Sequence, residues 1–286
     1  MQIIDTATQL CAVIGNPIEH SLSPTMHNAA YAAAGLNCVY LAFKVEDLRG
    51  CLAGMRAFPS FRGMSVTIPH KVAIMDFLDE VEPMAQHVGS VNTVTHEKGR
   101  LIGSTTDGAG ALRAFSDAGV SMDGKKVLFV GSGGAVRAVS FAVAEMTSAK
   151  AITILGMERE QVAGLVADLK AKAGANASGG DSATDLAEAM RDHDIVMHGT
   201  PLGMYPHNDA TCLPKESFRR NQVVFDMVYR PFKTRLLCEA EQAGCVTIPG
   251  IHMLVNQAVL QFERWTGLPA PVEAMRSAVM PLLETE

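Results

Sequence analysis

The stretch KVLFVGSGGA, residues 126–135, decides the fold class of the second half of the chain. Its apolar run, residues 127–130, predicts a buried strand, and the glycine-rich residues that follow predict a turn. Small and apolar side chains at helical spacing then continue through residue 144. Strand, glycine turn and helix in this order form the dinucleotide-binding fingerprint, in which glycines let the backbone approach a pyrophosphate at the helix N-terminus.

This fingerprint is incomplete, because Val136 stands at the third glycine position. A tight turn without a ligand is the alternative, but the order of the surrounding elements favours nucleotide binding. The residues of the turn that we expect to bind a cofactor are Gly131, Ser132, Gly133, Gly134 and Ala135.

The next predicted strand, residues 151–155, ends in Gly156-Met157-Glu158-Arg159, where such a fold meets the adenosine ribose. A carboxylate there binds the 2′-hydroxyl of NAD and repels the 2′-phosphate of NADP, whereas an arginine does the opposite. Glu158 comes nearer the strand end, which favours NAD, while Arg159 keeps NADP open. The alternative for both residues is an exposed helix N-terminus, where Glu158 also suits the helix dipole.

Two further strands are predicted at residues 195–197 and 223–225. The first ends in a loop at the carboxyl edge of the sheet, where ligands of such folds bind, and the second is followed by another loop. Tyr229, in the second loop, either faces a ligand or packs. The Ala-, Gly- and Ser-rich residues 171–180 are predicted to form a loop, and residues 186–190 a helix.

A last long helix is predicted from Gly250 onward, with apolar residues at helical spacing. Gln257 borders its apolar stripe. It is either a boundary residue or a hydrogen-bonding arm toward a ligand.

The first half of the chain alternates strands with helices, which is typical of a parallel sheet covered by helices. The predicted strands are residues 10–14, 39–43, 65–67 and 90–94, and the predicted helices are residues 24–33, 47–57, 69–77 and 107–118. Ser23 precedes Pro24 and is expected to cap the first helix, which leaves Ser21 as a hydroxyl for a small carboxylate or polyol.

Polar residues stand at the strand–helix junctions of this half. Lys71 falls in the first turn of a predicted helix, where a cation is disfavoured by ~0.3–1 kcal/mol, so it either reaches solvent or meets an anionic or reactive group. Asn92 is either a half-exposed strand residue or a donor aimed at a ligand. Asp107 is well placed as a helix N-cap.

Composition excludes several classes of protein. With 286 residues, 48% of them hydrophobic and 19% charged, the chain can form two globular domains. A net charge of −6 without a basic block argues against a nucleic-acid partner. No apolar run approaches the ~18 residues of a membrane span, and no signal-peptide pattern opens the chain, so we expect a cytoplasmic protein without a membrane partner.

Cysteine and histidine spacing predicts no metal site. The 6 cysteines are scattered, without a C-x-x-C pair or a histidine at ligand spacing, and are expected to be buried, reduced thiols. His20 and His27 have no partner in spacing and are expected to be surface or core residues.

Taken together, the chain resembles the shikimate dehydrogenase family over nearly its whole length. The matching motifs are residues 15–28, 65–71, 91–93, 106–110, 131–135, 203–204, 226–231 and 253–257. The resemblance implies a Rossmann-type doubly wound parallel sheet plus a separate α/β substrate domain, with a cleft between them. The expected boundaries are 1–107, completed by 250–286, for the substrate domain and 108–249 for the dinucleotide domain.

The same resemblance implies reversible hydride transfer between NAD or NADP and a ring hydroxyl of shikimate, or of a close analogue such as quinate or aminoshikimate. Lys71 and Asp107 would be the catalytic pair, with either one as the base. Ser21 and Ser23 would hold the substrate carboxylate. The remaining implied substrate residues are Ser65, Thr67, Asn92, Thr105, Tyr229 and Gln257. Thr200, Met227 and Gly250 would join the turn in binding the cofactor. The expected partner is a hydroxylated cyclohexene or cyclohexane carboxylate, bound by a monomer or homodimer.

The chain departs from the family pattern at three places. Most relatives carry asparagine where Ser65 and Thr105 stand, and the NADP-type Asn-Arg-Thr signature is replaced by Gly156-Met157-Glu158. We therefore expect altered substrate or cofactor preference, although the pair Ser21 and Ser23 favours shikimate. The alternative is a non-catalytic sensor of a shikimate-like metabolite. Such a sensor could dispense with Lys71 and Asp107, which are both present.

Overall fold

The computed structural model describes residues 4–284, which form two compact units. Unit 1 contains the described residues up to Thr106 together with Gln257–Leu282, and unit 2 contains Asp107–Asn256 and continues from Leu283. The second boundary lies within one helix, Gly250–Thr266, whereas the sequence-based boundary lies at the start of that helix.

Unit 1 is built on a six-stranded mixed sheet of order β2-β1-β3-β5-β6-β4. Its strands are β1 Gln9–Gly15, β2 Cys38–Lys44, β3 Phe61–Val66, β4 Glu80–Val81, β5 Thr93–Glu97 and β6 Arg100–Ser104. The expectation of a parallel sheet is wrong for β5, which runs antiparallel to both β3 and β6, whereas β6 runs parallel to β4. The physical reason is a tight hairpin in which Lys98 and Gly99 both have positive φ, the conformation that two-residue hairpins need. The predicted strand 90–94 begins later, at Thr93, so Asn92 precedes it.

The helices of unit 1 depart from the predictions at two N-termini. They are α1 Ser23–Ala33, α2 Leu48–Ala57, α3 His70–Ala73 and α4 Pro83–Val88, together with the larger part of α10 Gly250–Thr266 and of α11 Val272–Glu284. Leu22 occupies the N-cap position of α1, so Ser23 is the first helical residue and does not cap it. The helix expected over 69–77 is four residues long and continues as a 3₁₀ turn, Ile74–Phe77.

Unit 2 confirms the predicted doubly wound fold. Its six strands are all parallel, in the order β12-β11-β10-β7-β8-β9. They are β7 Lys126–Val130, β8 Ala151–Gly156, β9 Ala177–Asp181, β10 Ile195–His198, β11 Val223–Asp226 and β12 Val246–Pro249. The strand order reverses direction between β7 and β10, which is the switch point where ligands of open α/β sheets bind.

The predicted loop 171–180 is wrong. The helix α7, Arg159–Ala173, fills its first part and the edge strand β9 its last. Glycine is required in β9 because a Cβ at Gly179 would lie 2.7 Å from Val162 Cγ1, and one at Gly180 2.9 Å from Leu155 Cδ2. The small residues that predict a loop by composition therefore allow β9 to pack closely on its neighbours.

The remaining helices of unit 2 are α5 Asp107–Asp117, α6 Gly134–Met146, α8 Leu186–Asp192 and α9 Arg235–Gln242. Asp107 is the first residue of α5 and so does not occupy the predicted N-cap position. Helices α5 and α6 approach closely, since a Cβ at Gly108 would lie 2.5 Å from Ala142 Cβ.

Within residues 4–284, no helix is long and apolar enough to cross a membrane, and no three His, Cys, Asp or Glu residues are grouped to hold a metal. None of the six cysteines, all of which lie within the described residues, forms a disulfide. Cys11 and Cys38 are buried as predicted, but the other four are half-buried. Of these, Cys51, Cys212 and Cys245 pack against the hydrophobic clusters of the core and are only partly covered by them. His27 lies in the core and His20 on the surface.

Candidate active site

Two loops at the carboxyl ends of β1 and β3 are bonded to one another in unit 1. Asn16 donates its backbone N–H to Ile68 O at 2.9 Å, and Thr67 donates its own to Ile14 O at 3.0 Å. A Cβ at Gly15 would lie 2.5 Å from Thr67 Cγ2, so glycine is needed for this approach. The segment with Ser21 and Ser23 thus leaves the sheet beside the segment with Thr67 and Lys71.

The backbone of Lys71 is held by the segment that leads into β5, because the backbone N–H of Val91 donates to the Lys71 carbonyl at 2.8 Å. The Lys71 side chain is half-buried. The argument from the dipole of a long helix does not hold, because α3 has only four residues and Lys71 lies in its last turn as well as in its first. This bond places the Lys71 backbone beside Val91, the residue that precedes Asn92.

Asn92 is 4% exposed, so it is not the half-exposed strand residue considered from the sequence. Its Oδ1 accepts the Thr106 N–H at 2.8 Å and the Thr93 hydroxyl at 2.7 Å, while its Nδ2 donates to Thr106 Oγ1 at 3.0 Å. These bonds fix the orientation of the amide, because Oδ1 and Nδ2 each have a defined partner. A substrate hydroxyl at this amide would meet a pre-oriented group.

Ser65 lies in a buried hydrogen-bond chain. Tyr40 donates its hydroxyl to Ser65 Oγ at 2.6 Å, and Ser65 donates to Gln261 Oε1 at 2.8 Å. Gln261 Nε2 then donates to Thr93 Oγ1 at 2.9 Å and more weakly to the Asn92 carbonyl at 3.3 Å. Sequence reasoning missed Gln261, although it stands one helical turn after Gln257, a spacing that places both on one face.

The other predicted substrate residues of unit 1 are less constrained. Ser21 is half-buried, and its hydroxyl oxygen accepts the Ser23 N–H at 3.4 Å. Ser23 is 9% exposed and Gln257 7% exposed. The hydroxyl oxygen of Thr105 is buried with no hydrogen-bond partner among the described residues. A buried hydroxyl without a partner is costly and is therefore well suited to bind a ligand.

The glycine turn of unit 2 has room for a pyrophosphate. Gly131 has a φ of +114°, and a Cβ there would lie 2.9 Å from Gly199 O. Gly133 and Gly134 are exposed at the start of α6, and a Cβ at either would meet nothing within 4 Å. The start of this 13-residue helix is therefore unobstructed at both glycines, which suits the close approach of a phosphate to a helix N-terminus.

Val136, at the incomplete third glycine position, is buried and packs toward the loop after β10. A Cβ at Gly199 would lie 2.3 Å from Val136 Cγ2. The close approach that the fingerprint assigns to its third glycine is thus made possible by a glycine on the opposing loop. The exposed Ala135 and the half-buried Ser132 complete the turn, and Ser132 donates its hydroxyl to Gln161 Oε1 at 3.0 Å.

At the expected adenosine end, a Cβ at Gly156 would lie 2.9 Å from Val162 Cγ2 and 3.1 Å from Ser132 Oγ. A longer side chain there would therefore press on the glycine turn. Glu158 is exposed at the N-cap position of α7 and makes no capping bond. Arg159 Nη2 lies 3.2 Å from Asp181 Oδ2, with its side chain 84% exposed. The Ala183 N–H and then Arg159 lower the pKa of Asp181.

A pocket of about 630 Å³ begins at this ion pair and follows α7 along the edge strand β9. Its walls include Val166 and Lys170 of α7 and the backbone at Gly180. The residues of the glycine turn do not line it.

Three strand ends of unit 2 come together around Thr200, Met227 and Gly250. Met227 donates its N–H to the His198 carbonyl at 2.9 Å. A Cβ at Gly250 would lie within 2.7 Å of the carbonyl oxygens of Asp226, Met227 and Val228. Beneath this cluster, His198 and Asp226 are fully buried with Nδ1 and Oδ1 2.9 Å apart. Sequence reasoning missed this pair.

Tyr229 follows the same cluster and is half-buried. Burial raises the pKa of its phenol, partly opposed by the charge of Arg230.

Comparison with known proteins identifies the family. Residues 13–94 match the shikimate dehydrogenase substrate binding domain, and residues 250–280 match the shikimate 5′-dehydrogenase C-terminal domain. The shikimate dehydrogenase (NADP(+)) of Moorella thermoacetica is 43% identical over 278 residues, covering 95% of this chain and 92% of the relative. The chain belongs to the shikimate dehydrogenase family.

Solved structures of the family agree with this assignment. The shikimate 5-dehydrogenase of Listeria monocytogenes, in complex with shikimate and NAD, is similar with a TM-score of 0.93 and 37% identity, over 98% of this chain and 99% of that one. The quinate dehydrogenase of Corynebacterium glutamicum, in complex with NAD, has a TM-score of 0.90 and 29% identity, over 96% and 99%.

As a member of the shikimate dehydrogenase family, this protein is an enzyme, an NAD(P)-dependent oxidoreductase. The alternative of a non-catalytic sensor gains no support from these relatives. Of the two catalytic residues that the resemblance implies, Lys71 lies in unit 1, and Asp107 is half-buried at the first position of unit 2.

Proposed function

We propose that this enzyme reversibly transfers hydride between a nicotinamide dinucleotide and a ring hydroxyl of shikimate. The observation that carries the proposal is the backbone bond from Val91 to Lys71, which joins the segment of the lysine to the segment of the pre-oriented Asn92 amide. A lysine on a segment joined to uncharged donors and acceptors suits a hydroxylated ring acid. The relatives named for shikimate support the same substrate class.

Within this proposal, unit 1 binds the ring and unit 2 the cofactor. Ser21 and Ser23 bind the carboxylate, and Thr67, Asn92 and Gln257 bind ring hydroxyls. Thr105, with its unpartnered buried hydroxyl, is a further candidate contact.

For Ser65 we propose a role different from substrate binding. Its proton is donated to Gln261 and its oxygen already accepts the Tyr40 hydroxyl. We assign it to holding the Gln261–Thr93–Asn92 chain in place, and its hydroxyl is not required to donate to substrate.

Lys71 and Asp107 form the proposed catalytic pair. When bound, the nicotinamide supplies the hydride acceptor or donor. Oxidation of an alcohol also requires that its proton leave, and either side chain can accept that proton or stabilise the alkoxide. Ser132, Thr200, Met227 and Gly250 belong to the proposed cofactor-binding set, together with the exposed glycines of the turn.

We further propose that NAD is preferred over NADP. Met157, which is 82% exposed, stands where the NADP-type signature has arginine. The carboxylate of the adjacent Glu158 makes no capping hydrogen bond to α7. Arg159 is paired with Asp181, although such an exposed ion pair is weak and can yield to a phosphate. The NADP-named relative and the NAD-bound structure show that the family accommodates both cofactors.

The test is a steady-state assay of the purified protein with shikimate or quinate and with NAD or NADP, following absorbance of the reduced cofactor. We expect turnover with shikimate, a higher kcat/KM with NAD than with NADP, and weaker activity with quinate. Lys71→Ala is the matched catalytic control. No reduction of either cofactor by shikimate, in protein that is folded by circular dichroism, would refute the proposed function.

A further inference from the structure

A buried ion pair lies beneath the loops that are proposed to bind the cofactor. His198 ends β10 and Asp226 ends β11, and the two residues are paired in register across the parallel strands. Both are 0% exposed, and His198 Nδ1 lies 2.9 Å from Asp226 Oδ1.

The Asp226 carboxylate is fully provided with donors. Thr234 donates its hydroxyl to Oδ2 at 2.5 Å, and the Val228 N–H donates to Oδ1 at 3.0 Å. In a dry environment, a carboxylate with these two donors favours a cation as its third partner.

His198 is the group that can supply this positive charge. Burial acts to lower the pKa of His198, but the hydrogen bond and charge of Asp226, with a contribution from the Cys212 thiol, raise it to about 9. The groups that face the imidazole are therefore Asp226, Cys212 and the Thr200 hydroxyl.

The other ring nitrogen bonds Thr200. His198 Nε2 lies 2.5 Å from Thr200 Oγ1, and the Leu202 N–H donates to the same oxygen at 3.3 Å. An imidazolium carries a proton on both nitrogens, so Thr200 must then accept from both neighbours. Its own O–H proton is left to point away from them. In the neutral ring Nδ1–H serves Asp226, Nε2 becomes an acceptor, and Thr200 must turn its proton inward.

We propose that His198 is a positioning residue that sets the polarity of the Thr200 hydroxyl. With a charged imidazole, Thr200 donates to an acceptor oxygen of the nicotinamide cofactor, and with a neutral imidazole it loses that ability. The inference rests on the proposed role of Thr200 in binding the cofactor.

The experiment measures the Kd of NADH and NADPH by fluorescence titration between pH 6.5 and 10, without substrate. In the wild type we expect Kd to rise by ~3- to 10-fold as His198 loses its proton near pH 9, the effect of one neutral hydrogen bond. Thr200→Val should bind the cofactor weakly at every pH and lack this rise, while Thr200→Ser should restore both the affinity and the rise.

His198→Gln supplies a second readout. Its cofactor Kd should be independent of pH near 9, and NMR of histidine-labelled protein should lose one imidazole that titrates there in the wild type. If His198→Gln lowers the melting temperature but wild type and Thr200→Val keep the same pH dependence of Kd, His198 is structural and the proposal is overturned.

Failure of the proposed function has a different signature. A wild type that binds neither cofactor at neutral pH would overturn both proposals. Binding with a flat pH profile, or an imidazole of His198 that is already neutral at pH 7, would overturn this one alone.

Discussion

Ser65 and Gln261 share a hydrogen bond of 2.8 Å across a sequence separation of 196 residues. The bond joins β3 to the long helix α10 inside unit 1. It commits the serine hydroxyl proton to an acceptor within the protein. The same glutamine reaches Thr93, so one side chain supports both ends of the polar chain that orients Asn92.

Replacement of Gln261 tests this arrangement. Gln261→Leu removes the acceptor of Ser65 and the donor of Thr93, both buried, so we expect the free energy of unfolding to fall by ~2–4 kcal/mol in urea titrations. Tyr40→Phe is the matched control. It deletes one hydroxyl while Ser65 keeps Gln261, so its cost should be ~1 kcal/mol. Equal losses in the two variants would contradict the central place of Gln261.

Lys71→Ala tests the catalytic proposal. We expect kcat for shikimate oxidation to fall by ~10²-fold or more with KM little changed, because the side chain is required mainly in the transition state. Circular dichroism should be unchanged, since the bond that holds this segment runs from Val91 to the Lys71 backbone carbonyl. A variant with normal turnover would remove Lys71 from the mechanism.

Glu158→Gln tests the cofactor preference. Removing the carboxylate keeps the size of the side chain but relieves repulsion of a 2′-phosphate, so we expect kcat/KM for NADP relative to NAD to rise ~10-fold. Glu160→Gln is the matched control, since it changes the same charge in the first turn of α7, beyond Arg159. An equal change in both variants would mean that the effect is one of general charge.

Sequence patterns predicted those parts of the fold that depend on neighbours in the chain. The strand, glycine turn and helix at residues 126–144 were found because their order is local. The edge strand β9 was missed because its glycines are dictated by packing on Val162 and Leu155, which composition alone does not reveal.

The supporting residues of the site were missed for a related reason. Gln261 reaches the Asn92 carbonyl across 169 residues, and no local period indicates such a contact. His198 and Asp226 did carry a signal, because each follows a predicted parallel strand of the same sheet. The strand register that pairs them is a tertiary fact.

His27 is a fully buried histidine surrounded by aromatic side chains. It stacks on Tyr40 with ring centroids 4.4 Å apart, and Trp265 lies 5.2 Å away. Both ring nitrogens are buried without a hydrogen-bond partner among the described residues. Burial lowers the pKa of His27 from its usual 6.5 to about 3, so the folded protein holds this ring neutral.

The consequence is a loss of stability in acid. Because the folded pKa lies below the unfolded one, unfolding takes up a proton between pH 6.5 and 3, and the free energy of unfolding falls by about 1.4 kcal/mol per pH unit from this group. His27→Phe keeps the stacking and removes the titration. When the pH is lowered from 7.5 to 4.5, the free energy of unfolding of this variant, measured in urea, should therefore rise by ~2–3 kcal/mol relative to that of the wild type. Met26→Leu, an adjacent core substitution that changes no titratable group, is the control, and its free energy of unfolding should differ from that of the wild type by the same amount at both pH values. If the difference for His27→Phe is also constant, the His27 ring is not held neutral in the folded protein.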